Sequence, residues 1–558
     1  MGMTSLDGLR FARMVQAGAQ HLSANADMVD ALNVFPVPDG DTGTNMNLSM
    51  TSGAKETEAS KQTHFGKTAE ALSKGLLMGA RGNSGVILSQ LFRGFSKAIA
   101  QKQEVSAFEL AAAFEAGVQT AYKAVMKPVE GTILTVAKDA AKKAVAVSQK
   151  ETDVIAVMEA FVKEGQASLN RTPDLLPVLK EVGVVDSGGQ GLLLVYEGFL
   201  AELKGEELPA ALSTRQDMTD LVSAEHHKSI QSFMNTEDIE FGYCTEFMVK
   251  FEEDKLSQHP FSEDQFRHEL STFGDSLLVI SDDEIAKVHI HAEHPGDVLT
   301  VGQKYGSLIN MKIENMREQH SAITGSSSQP AVSRRKPAEK AKYGVVAVAM
   351  GSGVAELFTS IGATAVIEGG QTMNPSTEDI VKAIDDCHAE HVFVLPNNKN
   401  IIMAAEQAAE VTGSSVSVIA TKTVPQGLAA LIAFNPDGTE DANRSAMASA
   451  SAQVKTGQVT HAVRDTTIDG IDIKKNDFMG LAEGKIVVTH TEKVEAAKEL
   501  LQSLLDEESE IVTVIYGEEA SEESVEQVTA FIEAEYPDAE VEIHDGKQPL
   551  YPFIFSIE

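Results

Sequence analysis

The spacing of hydrophobic positions along this chain changes character twice. From the start to about Leu203, apolar residues recur three and four apart among Ala, Leu, Lys and Glu. The runs VSAFELAAAFEAGVQTAYKAV (Val105–Val125) and DVIAVMEAFVKEGQASL (Asp153–Leu169) each read as a helix with one apolar face. Few alternating β-branched runs interrupt them, so residues 1–205 are expected to form an all-α domain. Polar residues around Lys204–Lys228 end that regime. Between residues 229 and 319, FGYCTEFMVKF and LLVISDDEIAKVHIHAEH alternate as strands do, which predicts a small α+β domain. The stretch SAITGSSSQPAVSRRKPAEKAK (Ser321–Lys342), rich in Ser, Pro and Lys, reads as a linker over 320–342.

From residue 343 the period changes again. GVVAVAM, ATAVIEG, HVFVLP and SVSVIA are short buried strands separated by helical stretches, one of them opened by a capping box from Ser376 to Asp379. Alternating β/α units argue for a parallel sheet over residues 343–558, finished beyond Gln458 by shorter strands and two acidic helices. The fold class expected is therefore multidomain, α and α/β. No repeat of 20–50 residues is visible.

Length and charge narrow the function. A chain of 558 residues is long enough for three or four domains, each with its own core. With 46 basic and 82 acidic residues the formal charge is -36, which disfavours duplex nucleic acid and anionic membrane surfaces as partners. That charge is uneven, because Asp506–Glu558 carries 16 acids and one Lys. Cys244 and Cys387 cannot make a disulfide framework for so long a chain. MGMTSLDGLR lacks the apolar core of a secretion signal, and no stretch nears the roughly 18 apolar residues that span a bilayer. A cytoplasmic protein without a transmembrane segment is expected.

Nucleotide signatures of the common kinds are missing: there is no G-x-x-x-x-G-K-[ST], and GSGVAE (Gly351–Glu356) lacks the third glycine of a dinucleotide fingerprint. The segment NVFPVPDGDTGTNM (Asn33–Met46) is the densest in chemistry. Asp39 and Asp41 flank a glycine, and two carboxylates so close on a loop can share a hard cation such as Mg²⁺. Pro-Asp-Gly is equally a plain turn. An EF-hand loop is a poor match, with Met50 where the bidentate Glu belongs and Thr44 in place of the Gly. A second segment, GARGNSGVILSQ (Gly79–Gln90), sets three glycines and an Arg before an apolar helical run. Backbone N–H groups at such a helix start can cradle phosphate, with Arg81 adding charge; a helix-capping loop is the alternative. KPVEGTILTV (Lys127–Val136) and GVVDSGGQG (Gly183–Gly191) are two more glycine-bearing turns, so the helical region has four.

Taken in order, these four strings resemble the nucleotide-binding (DhaL-type) subunit of dihydroxyacetone kinases. The whole chain, through VHIHAEHPG, GGQTMNPS, LPNNKN and TKTVPQG, is similar to the catalytic-subunit family of bacterial fatty acid kinases. That resemblance implies a helical barrel binding ATP at one end through two Mg²⁺, a middle domain with zinc, a DegV-like C-terminal domain and a homodimer. Asp39 and Asp41 would be the catalytic metal ligands. Thr44, Asn45 and the turn Gly82, Asn83, Ser84, Gly85 would contact phosphates, with Asp186 near the nucleotide. Dihydroxyacetone kinases carry a third acid five residues before the pair; here that position is Val34, with Asn33 adjacent as a neutral substitute, and Thr42 replaces a His.

The implied reaction is phosphorylation of a fatty-acid carboxylate, presented by a separate lipid-binding protein of the DegV family (FakB-like), to give acyl-phosphate. A carboxylate is ionised at neutral pH and needs no general base, so positioning and charge neutralisation carry the transfer. Two alternatives remain at this level: a kinase for a small hydroxylated carbonyl compound, and a nucleotide- or lipid-sensing regulator that does not turn over. In the middle region His289 and His291 lie two apart on a strand, with Cys244 on another. One thiolate and two imidazoles suit Zn²⁺ with a fourth place for water, an acid or His294, though isolated Cys and His often sit in cores. The resemblance implies the zinc site. In the third region, loops at 351–353, 369–374 and 397–399 and Lys422 follow the carboxyl ends of strands, where open sheets bind ligands. A ligand site and a docking or dimer surface are both compatible with them.

Overall fold

The computed structural model describes residues 3–33, 40–125, 127–206, 242–315 apart from 253–254, 257–258, 260 and 282–284, and 340–558 apart from 371–373, 463–464, 469 and 507–508. Asp39 and nearly all of the linker expected over 320–342 lie outside the described residues.

Helices dominate residues 3–206: α1 (Gly8–Ala24), α2 (Ala26–Leu32), α3 (Thr42–Ala59), α4 (Phe65–Gly79), α5 (Gly82–Ile99), α6 (Ala107–Ala124), α7 (Ile133–Ser148), α8 (Val154–Leu175), α9 (Pro177–Val182) and α10 (Ser187–Lys204). The apolar run at 105–125 is shorter as a helix than its periodicity suggests. Val105 and Ser106 form β2, paired antiparallel with β1 (Ser5–Leu6), and Ser106 then caps α6 in a reciprocal box with Glu109. Successive neighbours α1, α3, α4, α5, α6, α7, α8 and α10 pack in turn, and α10 returns to α1, closing a barrel. Its centre is a run of ring contacts from Phe65 and Phe11 through Phe95 and Phe114 to Phe161 and Tyr196. Fully burying one such ring contributes roughly 1.5–3 kcal/mol. The closing seam needs small residues: a Cβ on Gly198 would lie 2.5 Å from the Gly18 Cα.

A second compact unit holds residues 242–315. Strands β3 (Tyr243–Phe251), β4 (Gly274–Ser281), β5 (Ile285–Ala292) and β6 (Gly306–Asn315) form an antiparallel sheet in the order β4-β5-β3-β6. Helices α11 (Glu263–Leu270) and α12 (Pro295–Gln303) join it in one core, with Phe266, Leu270, Val298 and Val301 among Phe247, Val249, Val288 and Ile290. The register sets Cys244 opposite His291, and Glu246 opposite His289. The side chains of Cys244, His289 and His291 lie outside the described residues. Among the described residues no group of three His, Cys, Asp or Glu could hold a metal.

Residues from 340 onward begin with the expected parallel sheet. Strands β7 (Ala341–Ala349), β8 (Ala365–Glu368), β9 (Ala389–Leu395) and β10 (Ser415–Val418) run in the order β10-β9-β7-β8. They alternate with α13 (Ser352–Ser360), α14 (Thr377–Asp386) and α15 (Lys399–Val411), and α16 (Val424–Ile432) and α17 (Glu440–Gln453) follow. A mixed six-stranded sheet then closes the chain. It consists of β11 (Lys455–His461), β14 (Phe478–Ala482), β15 (Lys485–His490), β16 (Ile511–Tyr516), β17 (Glu540–Asp545) and β18 (Phe553–Ile557), with a separate hairpin of β12 (Thr466–Ile468) and β13 (Ile471–Ile473). The acidic helices α18 (Lys493–Leu504) and α19 (Glu522–Glu535) pack on this part of the fold, with Leu500, Leu501, Val528 and Ile532 buried.

The helical barrel and this α/β region form one compact unit. Ala80 and Val86 of the barrel share a buried cluster with Val346, Val348, Ile380, Ile401, Ala404 and Ala405. Gln407, 4% exposed, ties the seam. Its Nε2 donates to the Leu77 carbonyl (2.8 Å) and Thr377 Oγ1 (3.0 Å), while its Oε1 accepts from Gln90 Nε2 (2.9 Å) and Ser89 Oγ (3.0 Å). No helix among the described residues is long and apolar enough to cross a membrane.

Candidate functional site

A cleft of about 560 Å³ opens at one end of the barrel, within the usual size range of small-molecule sites. Its walls come from segments far apart in sequence. Asp41, Thr42 and Asn45 start α3; Asn83, Ser84 and Ile87 start α5; Thr132, Ile133 and Leu134 start α7; Asp186, Ser187 and Gly188 start α10. Helix N-termini therefore converge on it, and they favour negative charge. Val125, Lys127 and Val129, between α6 and α7, add to the wall, and the α/β region supplies Lys399, Asn400 and Met403 from α15.

Asp41 is the charged centre of the polar end. It precedes α3, is 7% exposed, and makes no side-chain capping bond to that helix. Burial pushes its carboxyl up to about 6; hydrogen bonds from Asn45 and Asn374 oppose the shift, and the nearby charge of Asp30 adds to it. The open N–H groups of α3 are taken by Asp30 from α2, whose Oδ1 accepts from Gly43 N (2.5 Å) and Thr44 N (3.1 Å) and whose Oδ2 accepts from Thr44 Oγ1 (2.7 Å). Burial raises Asp30 as well, against those bonds. Thr44, expected to contact phosphate, thus has both its N–H and its hydroxyl on Asp30. Asp30 is absent from the residues expected at the site, since nothing local marks an acid inside MVDALN as the cap of a helix that starts only at Thr42.

Gly82 begins α5 at φ +57°, a left-handed conformation that glycine adopts without strain, and a Cβ there would lie 2.7 Å from Asn45 Nδ2. Arg81, the N-cap of α5, makes no side-chain capping bond, so the first N–H groups of that helix are not covered by it. The Arg81 guanidinium, expected to add charge beside phosphate, instead donates to the Asn374 carbonyl (2.7 Å) and lies 3.6 Å from Asp379. Asn83 Nδ2 bonds Asn400 Oδ1 (3.2 Å) across the seam. Gly85 fits closely against α3, where a Cβ would meet Ser49 Oγ at 2.3 Å.

Asp186 has a second attachment besides the cleft. Its Oδ2 accepts from Gly189 N (2.7 Å) as the N-cap of α10, and its carboxylate also accepts from the N–H of Ile133, the first residue of α7. One side chain thus clips two helix starts together. Burial carries its carboxyl up to about 6 against those two bonds.

The donor set fits a hard divalent cation. A buried carboxylate beside a second acid is relieved by positive charge, and Asn374 Oδ1 is a buried oxygen with no hydrogen-bond partner among the described residues. The structure brings Asp41, Asn45, Asn83, Ser84 and Asp186 to one cleft, with Gly82 and Gly85 packed behind them. Asn33 lines the same cleft. Asn374 and Lys399 read in sequence as loops of the C-terminal sheet; their approach to the barrel, with that of Asn400, is a tertiary fact with no local signature.

Comparison with known proteins follows this layout. Residues 36–201 match the DAK2 domain, residues 240–323 the middle domain of the FakA-like fatty acid kinase proteins, and residues 344–558 their C-terminal domain. Among relatives, Protein YloV of Bacillus subtilis (strain 168) is 64% identical over 558 residues, covering 100% of both chains. An uncharacterised protein of Staphylococcus haemolyticus (strain JCSC1435) is 53% identical over 557 residues, again covering 100% of both. Among solved structures, a DegV family protein from Corynebacterium glutamicum matches at TM-score 0.31 and 13% identity, covering 39% of this chain and 97% of that one. The dihydroxyacetone kinase from C. freundii in complex with AMP-PNP and Mg²⁺ matches at TM-score 0.28 and 19% identity, covering 34% of this chain and 33% of that one. With three successive domain matches and relatives aligned from end to end, this chain belongs to the FakA-like family of fatty acid kinase proteins, with a kinase-type DAK2 domain at its helical end.

Proposed function

We propose that the protein is the ATP-dependent catalytic subunit of a fatty acid kinase, transferring the γ-phosphoryl group to the carboxylate of a fatty acid that a separate lipid-binding protein presents. The observation that carries this reading is the buried carboxylate of Asp41 beside the glycine turn of α5, whose N-cap Arg81 makes no side-chain capping bond, at one end of a cleft large enough for a nucleotide.

Asp41, with Asp39 two residues earlier, would hold Mg²⁺, two ions by family resemblance. When bound, the metal neutralises phosphate charge and lowers the repulsion that an anionic acceptor meets. The chain's own residues do the rest. Asn45 and Asn374 fix the direction of the Asp41 carboxylate. Asn83 and Ser84, in the first turn of α5, offer N–H groups to the phosphates. Lys399, which lines the same cleft, adds positive charge. Thr44 is held by Asp30, so its part is to build the α3 start. Asp186 holds the starts of α7 and α10 at the cleft edge. The acceptor carboxylate is already ionised, and no side chain has to take its proton.

Family membership supports a lipid-binding partner, since the family is named for one component of a multi-protein kinase. The same membership is the basis for a homodimer and for zinc held by Cys244, His289 and His291, with a cytoplasmic setting for the reaction. The test is phosphoryl transfer in a reconstituted mixture of ATP, Mg²⁺, full-length protein and fatty-acid-loaded partner. Trapping with hydroxylamine should yield hydroxamate only when all components are present. Asp41→Asn should abolish transfer without lowering thermal stability, because it removes a buried charge. Full transfer in that variant would remove Asp41 from the metal site.

A further inference from the structure

Asn374 lies between β8 and α14 in the C-terminal α/β region, yet its side chain ends in the barrel. Its Nδ2 donates to Asp41 Oδ2 at 2.7 Å, and its backbone carbonyl accepts from the Arg81 guanidinium at 2.7 Å. The residue is 1% exposed. A Cβ on Gly82 would come within 3.4 Å of the same Nδ2. Three residues on, Thr377 N donates to the Ala80 carbonyl at 3.1 Å, so residues 374–377 run beside the turn that starts α5. Behind them lie the shared apolar cluster and the four hydrogen bonds of Gln407. The segment is therefore anchored at Asn374 itself and on the C-terminal side of its contact with Asp41.

Chemistry sets the orientation of this amide. An ionised carboxylate only accepts, so the amide must turn its NH₂ toward Asp41, which leaves Oδ1 buried with no hydrogen-bond partner among the described residues. A neutral donor can align a carboxylate without adding to or cancelling its charge. An Asp at this position would set another carboxylate against Asp41, and a Lys would compete with a cation.

We propose that Asn374 is a positioning residue for the kinase site, through which the C-terminal region completes the metal–nucleotide centre of the helical barrel in the same chain. This rests on the reading of Asp41 as a metal ligand. It gives the C-terminal region a role in the chemistry itself: a partner docked there that moved residues 374–377 would turn the Asp41 carboxylate.

The experiment titrates full-length protein with Mn²⁺ and a non-hydrolysable ATP analogue by calorimetry, with no acceptor and no partner present. Groups that orient metal ligands typically contribute about 10–100-fold to metal affinity. Asn374→Ala should weaken metal-dependent nucleotide binding by about that factor, while binding of the analogue in EDTA stays near wild type. Should the alanine variant not fold, Asn374→Ser is read by the same titration. Unchanged metal dependence in a folded variant overturns the proposal, as does an equal loss of metal-dependent and metal-free binding, which would mark a structural role. Wild-type protein that binds no metal–nucleotide would overturn the underlying kinase reading first, and this proposal with it.

Discussion

Replacing Gln407 with Ala tests whether the barrel and the C-terminal region share one buried seam. The side chain is 4% exposed and makes four hydrogen bonds, three of them to residues of α4 and α5. Each is worth about 0.5–1.5 kcal/mol net. Ser89 also has the Val86 carbonyl within 2.7 Å and keeps a partner after the loss; the Gln90 amide and the Leu77 carbonyl lose the bonds that Gln407 gave them. The expected destabilisation is about 2–4 kcal/mol. With about 2 cal/mol/K of unfolding entropy per residue over a unit of roughly 430 residues, Tm should fall by about 2–5 °C. The control is Glu410→Ala, on the same helix as Gln407, which removes an exposed ion pair with Arg93 of α5 (3.3 Å) and should shift stability by less than about 1 kcal/mol. Differential scanning fluorimetry compares the two, and hydrogen exchange should show faster amide exchange in both α5 and α15 of the Gln407 variant. A Tm matching that of Glu410→Ala, with α5 exchange unchanged, would refute the shared seam.

Other outcomes follow from single residues. Gly82→Ala forces a side chain into left-handed backbone and against Asn45, so chemical denaturation should show a loss of about 1–2 kcal/mol or more; wild-type stability would mean that the α5 start relaxes freely. Asp186→Asn keeps a helix-capping oxygen but cannot ionise. The Asp186 carboxyl is raised to about 6 in the folded protein, so its stabilising share is fully present below the ordinary carboxylate range and is lost as pH rises through about 6. In EDTA buffer the variant should therefore gain Tm over wild type at pH 8 and show little gain at pH 4.5; a difference independent of pH contradicts the assignment. Elemental analysis should find less zinc in Cys244→Ser than in wild type, and equal zinc would take Cys244 off the ligand set.

What can be read from sequence depends on how local the cause is. The parallel sheet after residue 343 is visible because each buried strand is a short continuous apolar run between helical repeats. The four glycine turns are visible because helix starts that face a ligand need small, flexible residues next to polar ones. The helix at 105–125 starts later than its periodicity implies, since strand pairing with Ser5 and Leu6 outcompetes local propensity at Val105. Asp30, Asn374 and Lys399 cannot be placed at the site from sequence. Their parts depend on where α2, the 374–377 segment and α15 come to rest against the barrel, and residues packed by tertiary contact carry no periodic mark. Arg81 shows the converse: a cation beside a glycine turn invites a phosphate, yet its guanidinium is satisfied by a carbonyl 293 residues away along the chain.

The proposed activity turns on the identity of the acceptor atom. Phosphorus NMR of the complete reaction, with ATP, Mg²⁺, this protein and the fatty-acid-loaded partner, reports directly which oxygen receives the phosphoryl group. A carboxylate acceptor should give an acyl-phosphate resonance that disappears on addition of hydroxylamine and is absent with Asp41→Asn. ADP with inorganic phosphate alone, or a phosphate ester that survives hydroxylamine, would contradict it.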